Sequence, residues 1–156
     1  MDEQDDFAVW VADGLLKVQD DEIAAASLSG LYAKSANPAE FNRQLDEASS
    51  QIKRPGDFGL EFVGPLLPVL FVEFGRLLWQ AYSKELLSQG GKALAGATID
   101  AVKALFKKKS ASPEGLAEAE MHMREVAQRA GLNNEQTEAV VAALRDPNLA
   151  STLVAG

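Results

Sequence analysis

Residues 58–109 read FGLEFVGPLLPVLFVEFGRLLWQAYSKELLSQGGKALAGATIDAVKALFKKK. From Pro65 to Ser88 the polar residues Glu73, Arg76, Gln80 and Lys84 recur at steps of three and four, which is one narrow stripe on a helix. Leu66, Leu70, Phe74, Leu77, Leu78, Ala81 and Tyr82 face the other way. Phe71, Val72 and Trp79 widen that apolar arc well past the usual stripe of about 100°. Such a helix has to be covered over most of its circumference. The cover is the other helices of a bundle, a second copy of the chain, or lipid, weighed in that order. The longest run free of formal charge, Phe62 to Val72, has eleven residues, whereas a spanning helix needs about 20. A simple transmembrane span is therefore not expected. Pro65 and Pro68 each lack a helical donor and crowd the preceding turn, so the helix is predicted to start or restart there.

After Gly90-Gly91, Ala93, Ala97 and Ala101 recur at steps of four, and Leu94, Thr98, Ala101 and Leu105 form an overlapping face with Ile99, Val102 and Phe106 beside it. This pattern predicts a second helix, Gly91 to Lys108, antiparallel to the first. Small residues at that spacing allow close helix approach in water and in membranes alike. Lys107, Lys108 and Lys109 suit the carboxyl end of a helix, where cations oppose the macrodipole.

Upstream, residues 5–19 fit two patterns. Phe7, Val9 and Val11 alternate before Asp13-Gly14, as in a hairpin, while Phe7, Trp10, Val11, Leu15 and Val18 fit a helical face. Asp5 and Asp6 at an amino-terminal turn favour the helix, although Gly14 inside it costs about 1 kcal/mol relative to Ala. Asp21 to Ser35 forms a further helical pattern through Ile23, Ala24, Leu28, Leu31 and Tyr32. Asn37 and Pro38 then read as N-cap and first helical residue, followed by Phe41, Leu45, Ala48 and Ile52 on one face. Lys53-Arg54-Pro55-Gly56 is a loop, with Asp57 a candidate cap beyond it. Downstream, Ser112, Pro113 and Glu114 open a helix lined by Leu116, Ala119, Met123, Val126, Ala127 and Ala130 and closed by Gly131. Asn133 or Asn134 caps another, with Val140, Val141 and Leu144 inside, and Asp146-Pro147 ends it. A last turn, Pro147 to Val154, has Leu149, Leu153 and Val154 with which to dock.

The predicted fold is all-α: one domain over 1–156, a bundle of five or six helices around a central apolar hairpin. Its parts are acidic amino-terminal helices over 1–54, the hairpin over 57–109 and a carboxyl-terminal pair over 112–156. The chain has 156 residues, 47% of them apolar, which suits one ordinary core. There is no cysteine, so disulfides, thiolate metal sites and a cysteine nucleophile are excluded, and a reducing, cytoplasmic setting is expected. The acidic start, Met1 to Asp6, lacks the pattern of a secretory signal.

Charge is unevenly placed. The net charge is -8, of which residues 1–22 carry -7, while Arg76 to Lys109 carries +5. An acidic head and a basic middle can attract an external partner or one another. The basic residues Lys103, Lys107, Lys108 and Lys109 are candidates for contact with an anionic surface. Nucleic acid is not expected as a partner: the sequence pI is about 4.7, and the last helix carries Glu135 and Glu138 where a reading helix needs bases.

Catalytic chemistry finds little support in the residue pattern. His122 has Glu118 and Glu125 within helical reach, but no nucleophile or second metal ligand is placed beside it, so it reads as a surface histidine. Gly90-Gly91-Lys92-Ala93 lacks the spacing of a phosphate-cradling loop. Glu73 and Arg76, three apart on one stripe, are expected to form a structural ion pair. No enzyme activity, metal or cofactor is expected. The leading expectation is a non-enzymatic interaction protein, self-associating as a homo-oligomer or bound to another protein through Phe71, Phe74, Trp79 and Tyr82, since aromatic residues dominate interface energetics. The alternative is a membrane-associating protein whose hairpin inserts or lies on the bilayer, with Lys107 to Lys109 at anionic headgroups.

Overall fold

The first helix settles the ambiguity at the amino terminus. In α1 (Glu3–Val18) the two rows Ala8/Ala12/Leu16 and Phe7/Val11/Leu15 stack at steps of four, and all six side chains are fully buried. An alternating strand would have sent half of them to solvent. Glu3, Asp5 and Asp6 lie in its first turn, favourable to the macrodipole.

The computed structural model describes residues 3–18, 22–35, 37–50, 67–89, 98–149 and 152, and every element among them is helical. After α1 come α2 (Glu22–Lys34), α3 (Pro38–Ser50), α4 (Leu67–Gln89), α5 (Ile99–Ser110), α6 (Pro113–Arg129) and α7 (Asn134–Val141), with a short 3-10 turn at Ala142–Arg145. Seven α-helices thus stand among the described residues, where five or six are predicted for the chain. Among the described residues no helix is long and apolar enough to cross a membrane.

Local chemistry sets the helix ends. Asn37 Oδ1 accepts from the Glu40 N–H at 2.9 Å, Thr98 Oγ1 from Ala101 at 3.3 Å and Ser112 Oγ from Gly115 at 3.1 Å. Asn133 and Gln136 form a reciprocal capping box, which satisfies two otherwise unbonded N–H groups. Gly131 ends α6 with φ +87°, a conformation that costs other residues more. Pro68 is the second residue of α4, where a helix needs no N–H donor. Leu149 docks after the 3-10 turn and is buried; Leu153 and Val154 lie outside the described residues, as do Pro65, Ile52 and the Gly90-Gly91 break.

α4 packs most extensively on α1, and less on α5 and α6. A small-residue contact causes this: a Cβ added to Gly75 would lie 2.6 Å from Ala8 Cα. The two helix backbones therefore touch, and no side chain larger than hydrogen fits at 75 without separating them. Close approach was predicted from Ala93, Ala97 and Ala101. Of these, Ala93 and Ala97 lie outside the described residues, and Ala101 is half-buried. A second close contact forms the α5–α6 corner, where a Cβ at Gly115 would lie 2.3 Å from the Lys109 carbonyl oxygen. Around these contacts Phe7, Leu15, Leu16, Phe71, Phe74, Leu78, Tyr82, Phe106 and Met123 fill one core.

Candidate functional site

The aromatic face of α4 lies inside this core. Phe71, Phe74 and Tyr82 are fully buried, and Trp79 is half-buried with its ring 5.8 Å from that of Phe7. These residues come from positions that a partner or a second copy was expected to cover; within this chain α1 packs most extensively on α4, and Phe106 and Lys109 of α5 lie against Tyr82. The outward stripe is the polar one: Glu73, Gln80 and Lys84 are exposed.

Glu73 and Arg76 meet on that stripe, with Arg76 Nη1 donating to Glu73 Oε1 at 3.1 Å. A closer tie points inward. Arg76 Nε donates to Asp5 Oδ1 at 3.0 Å, and the Asp5 side chain is only 5% exposed. The guanidinium also lies 5.7 Å from the Phe41 ring. One side chain thus fastens α1 and α3 to α4. Within α1, Asp5 is one of several acids, and no local pattern distinguishes it; the partners are 71 residues apart.

The four candidate bases at the end of α5 separate into different environments. Lys109 is mostly buried, its Nζ donating to Glu118 at 2.7 Å and Glu85 at 2.9 Å above the Tyr82 ring, 5.0 Å from the centroid. Burial opposes its charge, but the hydrogen bonds and attraction of Glu118 and Glu85 outweigh it and raise its pKa. Lys103 and Lys107 stand over Trp10, 4.9 and 5.6 Å from the ring centroid. Lys108 is exposed. The basic run is therefore partly drawn into the fold, because α1 brings an indole and α4 and α6 each bring a carboxylate against it.

The Tyr82 hydroxyl is buried without a hydrogen-bond partner among the described residues. Burial first, then the Glu118 and Glu85 charges, push its pKa far above the usual phenol range. A raised pKa in the folded state gives stability that is present below the ordinary value and is lost as pH rises through the folded one. Tyr82 and Lys109, with ordinary values of 10.0 and 10.5, act in the same direction. Thermal stability is expected to fall as the pH rises above 10.0. Tyr82→Phe removes both the phenol's share and a buried unpaired hydroxyl costing about 1–3 kcal/mol. It is expected to raise the melting temperature at neutral pH and flatten the alkaline decline. A variant less stable than the parent at pH 7, with an unchanged decline, contradicts this assignment.

His122 is half-buried on α6, and its neighbouring acids are engaged elsewhere: Glu118 with Lys109 and Glu125 with Arg129 at 2.6 Å. Glu138 accepts from Arg124 Nε at 3.1 Å and Nη2 at 3.2 Å, joining α7 to α6. Among the described residues no group of three or more His, Asp or Glu side chains is placed to hold a metal ion. Pairing rather than convergence describes these charges. Asp5, Trp10, Glu85 and Glu118 are the participants that sequence patterns alone do not single out, since each meets its partner only through packing. No family model, curated protein or solved structure matches the chain.

Proposed function

We propose that this chain is a non-enzymatic protein-interaction module, binding another copy of itself or a different protein, with a contact surface on the outer sides of α4 and α6. Met121 and Leu87 support this reading: they are large apolar side chains 64% and 56% exposed, on helices that pack against each other. Covering them releases apolar surface from water, at about 25 cal/mol per Å². The aromatic residues of α4 contribute by keeping those helices rigid rather than by touching the partner. Light scattering after size-exclusion chromatography tests self-association against the single-chain mass of 16.7 kDa. Association that rises with concentration, and is lost in Met121→Glu and Leu87→Glu, is the expected result. A mass of one chain at every concentration sinks the self-associating form, and a heterologous partner retained equally by both variants sinks the surface.

A further inference from the structure

Trp10 is half-buried on α1, with its ring edge-on to Phe106 (6.2 Å, 78°) and tilted against Phe7 (5.8 Å, 37°). Two ammonium groups from α5 share the indole, Lys103 Nζ at 4.9 Å and Lys107 Nζ at 5.6 Å. They are four residues apart and so lie on one side of their helix. Neither has an ion pair among the described residues. The acids of the adjoining helix are each engaged with another group. Glu3 accepts from the Ile99 N–H at 2.8 Å, Asp5 pairs with Arg76, Asp6 accepts from the Tyr32 hydroxyl and Asp13 pairs with Lys17 at 2.8 Å. Asp100, in the first turn of α5, is exposed and forms no ion pair with Lys103 among the described residues; Lys103 is half-buried, and Lys107 and Lys108 are exposed.

Two like charges gathered at one ring repel each other, and the indole attracts each exposed cation by only about 0.5–1 kcal/mol. In a chain of net charge -8, this is a pair of cations whose placement is set by packing and which form no ion pair among the described residues. A single monovalent anion balances half of their charge. A dianion or a more highly charged group balances both ammoniums at once, and lysine binds phosphate oxygens as a point charge without demanding a planar, bidentate fit.

We propose that Lys103 and Lys107, held over the Trp10 indole, form a binding site for a multiply charged phosphate group. Such a group is carried both by free phosphates and by phosphate-bearing lipid headgroups, and the two sources are separable by experiment. Inorganic pyrophosphate is titrated at low ionic strength into the Trp79→Phe chain, in which Trp10 is the sole indole; calorimetry on the unsubstituted chain reads the same binding should that substitution disturb the fold. A saturable change in Trp10 emission is expected. It is expected to weaken at least tenfold in Lys103→Gln/Lys107→Gln, to change little in Lys108→Gln, and to weaken as salt is added. In parallel, flotation with vesicles of phosphatidylcholine alone, and of phosphatidylcholine with phosphatidic acid, identifies the source. Pyrophosphate binding without flotation supports a soluble phosphate, and flotation with phosphatidic acid that requires the same two lysines supports a headgroup. Absence of both, or binding that is equal in the double variant, overturns the site.

Discussion

Replacing Phe74 by alanine is expected to destabilise the folded chain by about 3–5 kcal/mol, the usual loss for a buried phenylalanine, and to leave its molar mass in solution unchanged. The ring is fully buried in a core shared with α1. It is one residue from Gly75, whose missing Cβ lets α1 approach to backbone contact. The helix pair cannot easily close around the resulting void, because the same backbone contact already sets its spacing. Much of the lost volume therefore remains as a cavity, which adds to the transfer energy lost with the ring. The experiment also separates two roles for this face. A core residue changes the urea midpoint of a single chain. An interface residue changes the mass and leaves that midpoint near its parent value. Should Phe74→Ala keep its stability and lose an oligomer, the aromatic face of α4 is an interface after all.

The second large effect is expected at Asp5. Its carboxylate is 5% exposed and bonded to an arginine that is itself 14% exposed, so Asp5→Ala leaves a nearly buried guanidinium short of its main partner. Removing one member of a buried pair costs about 3–5 kcal/mol. Glu73 cannot easily compensate, because it holds a different nitrogen from the solvent side, with its own side chain 51% exposed. One further Arg76 nitrogen, Nη2, is already buried without a partner among the described residues. The double variant Asp5→Ala/Arg76→Met is expected to recover much of the loss, since methionine fills similar space without a charge to solvate. Urea denaturation of the single and double variants checks both statements. A loss below about 1 kcal/mol for Asp5→Ala, the size of a surface ion pair, shows that the contact is not structural.

These two sites show how the charge asymmetry is used. The acidic head and the basic middle do attract each other, and they do so within one chain: Asp5 holds Arg76 in α4, and Glu3 accepts from the first N–H of α5. Charge that a partner was free to neutralise is in part consumed by folding. Over Trp10, packing brings Lys103 and Lys107 together with no ion pair among the described residues.

The features written in the sequence are those whose physics is local. An N-cap side chain reaches its N–H across three residues, and Asn37, Ser112 and Asn133 are recognisable for that reason. Gly131 stands where a left-handed turn must follow a helix. Apolar spacing at three and four makes every described element helical, and the narrow stripe of Glu73, Arg76, Gln80 and Lys84 marks the outward side of α4. The identity of what covers the opposite side is not local. It depends on Ala8 and Gly75 being small at the same crossing, on Asp5 rather than Asp6 meeting Arg76, and on Trp10 lying beneath Lys103 and Lys107. Such contacts join residues far apart in the chain, and their energies depend on burial, which arises only when all the helices are in place. The sequence by itself therefore determined a helical chain with its caps and its exposed stripe, and the tertiary structure alone decided that α1 packs across the apolar face of α4.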